Sequence, residues 1–106
     1  MNEYVYEVSI RLDTKLTEAY MVWLKDHVGE MLKLPCFQTA QIYVGEEGSK
    51  NLIRVHYSYQ EPKAFQTYLD QYAEKMRGQL PEIFKNQLEF ERVLLKKVQS
   101  WIEMNF

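Results

Sequence analysis

Glu7, Arg11, Arg54 and His56 are the residues best suited to joint chemistry, because each sits at the polar parity of an alternating segment. In Tyr4–Leu12 the residues Tyr4, Tyr6, Val8, Ile10 and Leu12 alternate with Val5, Glu7, Ser9 and Arg11. In Leu52–Tyr59 the residues Ile53, Val55, Tyr57 and Tyr59 alternate with Leu52, Arg54, His56 and Ser58. Period-two alternation puts each set on one face of a strand. Two such strands in one sheet bring the four charged residues to the same face. A histidine titrating near neutrality beside a carboxylate can serve as a general base, and arginines can hold a carboxylate or an enolate. The competing reading is structural: a network that satisfies polar groups enclosed when two chains associate.

Other residues with chemical potential have blander expectations. His27 falls on an apolar helical stripe beside Trp23 and Leu24, where a neutral core histidine donating one ring N–H to a carbonyl or carboxylate is expected. A His27–His56 metal site fails on parity, since the two residues belong to opposite sides of the sheet. Cys36 is the sole cysteine, which excludes an internal disulfide and a cysteine-based zinc site. No metal and no cofactor is therefore expected. Tyr57 and Tyr59 stand in line with the core-like positions Ile53 and Val55 and lack a Lys/Arg-Gly-Phe motif, so they read as core rather than as an RNA-stacking platform.

Composition narrows the partners. Thirteen basic residues against fifteen acidic ones leave a net charge of −2, which argues against nucleic acid and anionic membrane surfaces. Lys96-Lys97 is too short a basic run to change that, and Glu46-Glu47 reads as a solvated loop tip. No run approaches the ~20 apolar residues of a membrane span. The opening Met1-Asn2-Glu3-Tyr4 has an acid and no apolar stretch, so no signal peptide is expected. With its single cysteine, the chain is expected in a reducing compartment, the cytoplasm.

The elements that would position these residues follow one order twice. Tyr4–Leu12 reads as strand. Thr17–Lys33 reads as helix, with Asp13 and Thr14 offering cap oxygens and an apolar stripe of Tyr20, Trp23, Leu24, His27, Val28 and Met31. Leu34-Pro35 ends it. Phe37–Val44 alternates again, with Thr39, Gln41 and Tyr43 opposite Ala40, Ile42 and Val44. Gly45–Asn51 has the composition of a flexible hairpin loop. After Leu52–Tyr59, Pro62 suits the first turn of a helix over Ala64–Arg77, with stripe Phe65, Tyr68, Leu69, Tyr72, Ala73 and Met76, and Gly78 is a plausible stop. Leu80–Phe84 suits a short extra turn behind Pro81. Leu88–Val98 is strand-like, yet Val93 and Leu95 oppose Leu88, Phe90, Arg92 and Leu94, so both its faces are expected to be partly buried, or a bulge intervenes.

A βαββαβ order in 106 residues predicts one α+β domain, residues 1–106. The architecture is a ferredoxin-like plait, a four-stranded antiparallel sheet with two helices on one face. The other face is then uncovered. It holds the polar set but also Val5, Tyr43 and Leu52, which favours a symmetric dimer with two sheets packed face to face, a dimeric α+β barrel. The apolar tail at residues 98–106, with Trp101, Ile102, Met104 and Phe106, is expected to be ordered against its own domain or the partner subunit.

Particular residues carry a family resemblance over roughly Tyr4–Leu95. They are Tyr6-Glu7-Val8, Trp23-Leu24-x-x-His27, Pro35-Cys36-Phe37, His56-Tyr57, Tyr68-Leu69-x-x-Tyr72-Ala73, and Phe84 followed by Arg92. With these the chain resembles a bacterial domain-of-unknown-function family grouped with the dimeric α+β-barrel superfamily, which also holds antibiotic-biosynthesis-type monooxygenases. Cys36 stands where that family's pattern has glycine. The resemblance implies fold and dimer, and brings no activity.

Other chemistries of the same plait lack their residues. Asp13-Thr14-Lys15 supplies neither the glycine nor the arginine of an acylphosphatase loop. Ala64–Arg77 has no axial histidine for haem, and neither a Ser/His/Asp spacing nor a phosphate-binding loop is present. The expected role is binding or interaction without catalysis, with a second copy and a small-molecule ligand as the partners. The alternative is a cofactor-independent monooxygenase- or isomerase-like enzyme acting on a small aromatic or polyketide-like molecule between sheet and helices. An enclosed void lined by His56, Arg54 and Tyr43 would favour that enzyme.

Overall fold

Alternation and helical spacing resolve into eight elements in the computed structural model, which describes residues 3–102. They are β1 (Tyr4–Asp13), α1 (Thr14–Leu32), β2 (Thr39–Glu47), β3 (Lys50–Tyr59), α2 (Pro62–Gln71), α3 (Ala73–Arg77), a 3₁₀ turn at Glu82–Phe84, and β4 (Leu88–Lys96). The strands form one antiparallel sheet in the order β2-β3-β1-β4. Tyr6, Ile10 and Leu12 of β1 and Ile53, Val55, Tyr57 and Tyr59 of β3 are buried. They share a cluster with Tyr20, Leu24, Val28 and Met31 of α1 and with Phe65 and Tyr68 of α2. Both helical segments therefore lie on one face of the sheet, the ferredoxin-like plait that the element order implies.

Local chemistry explains the boundaries. The Asp13 carboxylate accepts the Lys15 N–H at 2.8 Å, which caps α1 and starts it at Thr14, three residues before the expected Thr17. The helix closes with Lys33 N–H on the Glu30 carbonyl and Leu34 N–H on that of Met31, just before Pro35. Phe37 precedes β2 and is buried rather than paired. Its ring packs 5.1 Å from Tyr68 and 5.3 Å from Tyr57.

Three expectations are corrected. The β2–β3 connection is no seven-residue loop: Glu47 pairs with Lys50, leaving Gly48-Ser49 as the turn, with Gly48 at φ +61°. Strand pairing runs to the tip because glycine supplies the left-handed backbone that a tight turn needs. The second helix is broken at Tyr72, where φ is −127°. The offset buries Ala73 and Met76 but leaves Leu69 41% exposed. Finally, β4 pairs regularly with β1 and has no bulge, yet neither of its faces is buried: Phe90, Val93, Leu94 and Leu95 are all exposed. It is an edge strand, and the helices pack chiefly over β1, β2 and β3.

The C-terminal segment departs from the sheet after the Lys97 N–H bonds the Glu3 carbonyl at 2.9 Å. Val98, Trp101 and Ile102 are more than three-quarters exposed. As far as Ile102 the tail does not pack on its own domain, which leaves the partner subunit as the other half of that expectation. Met104 and Phe106 lie outside the described residues.

Candidate functional site

The sheet has two faces with different chemical characters. On the face away from the helices, register places Glu7 directly opposite His56, and His56 opposite Gln41. His56 Nε2 and Glu7 Oε2 are 2.8 Å apart, and both side chains keep partial solvent access. The Tyr43 ring stands 5.0 Å from the imidazole. Ser58 is buried beneath this layer, its hydroxyl bonded to the Thr39 hydroxyl and accepting the Thr39 N–H.

Of the four candidates, the structure joins only the His56–Glu7 pair. Arg11 is four residues along β1 from Glu7, about 13 Å at the strand rise. It turns instead to Glu47 at 3.4 Å and Glu91 at 3.7 Å. Arg54 lies opposite Ser9 and Tyr43 and is exposed, with no ion-pair partner among the described residues. An imidazole hydrogen-bonded to a carboxylate is therefore present, but no arginine converges on it.

The helix-side face holds a pocket of about 100 Å³ between α1, α2, α3 and the β1–β3–β4 part of the sheet. Its floor is Val8, Ile10, Val55 and Tyr57 from the strands, and Tyr20, Trp23, Leu24 and His27 of α1 form one wall. Tyr68 and Arg77 stand opposite, and Phe90 and Arg92 of the uncovered edge strand border it as well. Neither His56, Arg54 nor Tyr43 lines this space, which lies on the opposite side of the sheet from them.

The pocket's polar groups are unusually placed. His27 stacks on Trp23, centroids 4.6 Å apart and planes 19° from parallel. Its Nδ1 is buried and has no hydrogen-bond partner among the described residues, so one ring nitrogen of this core-facing histidine is left open. Burial lowers the His27 pKa, against a smaller upward influence from the Gln79 side chain, so the ring is neutral at pH 7. Burial also pushes the Tyr68 hydroxyl up to about 12, with the Arg77 and Arg92 charges opposing the shift. Tyr20 and Tyr57 are raised further by the same cause. All three stay protonated at physiological pH. Arg77 donates to the Tyr6 hydroxyl at 3.2 Å, and the Arg92 guanidinium lies 5.3 Å from the Phe90 ring centroid.

Sequence reasoning missed this constellation for a physical reason. His27, Tyr68 and Arg92 carry the apolar-stripe or core-face parity that ordinarily marks packing, and Arg77 lies just beyond the stripe, next to Met76. One signal was legible: an arginine among Leu88, Phe90 and Leu94 on a helix-facing parity needs either an open edge or a ligand.

The chain belongs to the DUF4286 family, a domain of unknown function, which matches residues 3–98. No functionally curated protein matches it. Among solved structures it is similar to a dimeric ferredoxin-like protein from an uncultured marine organism (TM-score 0.75, 11% identity, covering 95% of this chain and 100% of that one). It is also similar to a candidate antibiotic biosynthesis monooxygenase from Bacillus cereus (TM-score 0.70, 11% identity, 97% and 100% covered). A third is SnoaB from Streptomyces nogalater, a cofactor-independent oxygenase (TM-score 0.65, 13% identity, 95% and 99% covered). At such identities the likeness concerns the fold, and the fold alone does not carry an activity.

Proposed function

We propose that this DUF4286 protein is a homodimeric small-molecule-binding protein whose ligand site is the pocket between the helices and the sheet. The observation that carries the reading is His27: a buried Nδ1 without a partner among the described residues, in the wall of an aromatic cavity. Buried polar atoms are nearly always satisfied, and an orphan in a cavity marks where a ligand atom can bond. Rigid tyrosine and tryptophan rings supply contact area at low entropic cost. The His56–Glu7 pair is then part of the dimer-facing surface, where Val5, Tyr43, Leu52, Val93 and Leu95 supply the apolar area.

An NMR-detected fragment screen on the full chain tests the site. Shifts are expected to cluster on Tyr20, Trp23, His27 and Phe90. Shifts clustered on Tyr43, Arg54 and His56 would move the site to the other face and end this reading. Sedimentation tests the dimer, which requires twice the chain mass at micromolar concentration.

A second reading, catalysis without a cofactor, is favoured by the neutral state of His27. An uncharged imidazole beside a bound phenol or enol can accept its proton, and the resulting anion is more electron-rich than the neutral molecule. Oxygen uptake with an electron-rich phenol, abolished in His27→Phe, is the measurement that would replace binding with catalysis.

A further inference from the structure

We infer that the helix–sheet pocket selects a small planar anion, a conjugated or aromatic carboxylate, with its charged end between Arg92 and Arg77. The inference rests on the reading of this pocket as the ligand site and adds the charge and size of what enters it.

The lining is electrostatically one-sided. It contains two guanidinium groups and no Asp or Glu among the described residues. Arg92 meets no carboxylate there and lies over the Phe90 ring instead. Arg77 is bonded to a neutral phenol, which leaves its charge uncompensated. The acids of β4 point the other way. Glu89 pairs with Lys50 at 2.9 Å and Glu91 with Arg11 at 3.7 Å, both on the opposite face of the sheet. Strand parity thus separates the charges of β4, acids outward and Arg92 toward the pocket. A low-dielectric cleft with uncompensated positive charge at its border concentrates anions.

The remaining polar groups fit the same ligand. The tyrosine hydroxyls remain protonated and can donate to carboxylate oxygens. Neutral His27 brings no counter-charge of its own. Guanidinium forks match carboxylates by geometry as well as charge. The flat walls, with Trp23 and His27 stacked parallel, suit a planar body. A volume of about 100 Å³ is below the ~300–1,000 Å³ of sites for drug-sized ligands, which limits the buried part to about one ring.

Benzoate, benzamide and benzamidine share a planar shape and carry negative, zero and positive charge. Titrating each into the isotopically labelled full chain, with amide shifts and melting temperature as readouts, tests the inference. Benzoate is expected to shift Tyr20, His27 and Arg92 and to bind at least about tenfold more tightly than benzamide, the order of one charge-assisted hydrogen bond. Benzamidine is expected not to bind. Arg92→Gln should bring benzoate down to the affinity of benzamide, while Arg92→Lys retains part of the preference. Arg92 is exposed on an edge strand, so both variants are expected to fold, and an unchanged melting temperature without ligand verifies it. Benzamide binding in the pocket as tightly as benzoate, or benzoate binding unaffected by Arg92→Gln, overturns the charge selection and leaves the pocket as the ligand site. Failure of all three compounds to shift pocket residues overturns both.

Discussion

His27 separates stability from function at the level of one side chain. Its ring stacks on Trp23 while its Nδ1 has no hydrogen-bond partner among the described residues, so packing and polarity act in opposite directions. Truncation in His27→Ala removes the stacking and opens the cavity, and a loss of about 1–3 kcal/mol is expected. His27→Phe keeps the ring and removes the unsatisfied nitrogen. It should match the native stability or exceed it by up to ~1 kcal/mol, at the expense of ligand binding. Urea denaturation of the two variants checks the ordering, and a Phe variant as unstable as the Ala variant would show that the imidazole nitrogens are satisfied.

The same residue predicts a pH dependence. Burial lowers the His27 pKa below its unfolded value of ~6.5, so below that pH the unfolded chain binds more protons than the folded one. Stability is therefore unaffected by His27 above about pH 6.5 and falls as pH drops from there through the lower folded pKa. The difference between the native chain and His27→Phe isolates this effect from the carboxylates. It should be flat from pH 8 to ~6.5 and grow in favour of the variant toward pH 5.

At the scale of elements, turn and edge chemistry explain where strand pairing goes beyond or short of the sequence pattern. Gly48 adopts φ +61° with open space where a Cβ would stand, so only the backbone opposes a side chain there. Gly48→Ala should cost about 1 kcal/mol, measured by thermal or chemical denaturation, and Gly45→Ala, lacking that φ, should cost less. In β4, Leu95 is paired with Val5 on the helix-free face and is 41% exposed in the single chain. Leu95→Glu is accordingly expected to leave the fold within ~0.5 kcal/mol of the native chain. It would place a charge in the proposed sheet-to-sheet interface and weaken the dimer by tenfold or more in sedimentation equilibrium. An unchanged dissociation constant would put the interface elsewhere.

The whole molecule measures only 19 Å in its shortest dimension, the thickness of one helical layer on one sheet. Such a two-layer body leaves a sheet face and an edge strand to be managed by association or by charge. Surface ion pairs such as Lys50–Glu89 and Arg11–Glu47 blunt part of that face, though exposed pairs contribute little to stability. The segment from Val98 to Ile102 extends away from the rest of the chain with its apolar groups in solvent. Truncation after Gln99 should leave the melting temperature of the dilute monomer unchanged and weaken the dimer. If it instead lowers monomer stability, the tail packs on its own chain. If it changes neither, the tail serves a different partner.

Much of this architecture is legible in the order of the amino acids alone. Period-two parity in Tyr4–Leu12 and Leu52–Tyr59 assigns both sheet faces, because a strand cannot turn one side chain without turning its neighbours. The stripe from Tyr20 to Met31 assigns the buried side of α1 in the same way. These patterns are local, and they put Glu7 and His56 on one face, while the register that sets the two opposite each other belongs to the sheet. Convergence is not local. His27, Tyr68, Arg77 and Arg92 come from α1, α2, α3 and β4, and nothing within any one segment points to the other three. Only tertiary structure decided that the helices leave β4 uncovered, that a cavity stays open beside it, and that core-facing parity there means facing a pocket. The reason is that periodicity reports which side of an element is turned inward, whereas the space left between elements depends on how all their side chains fit together.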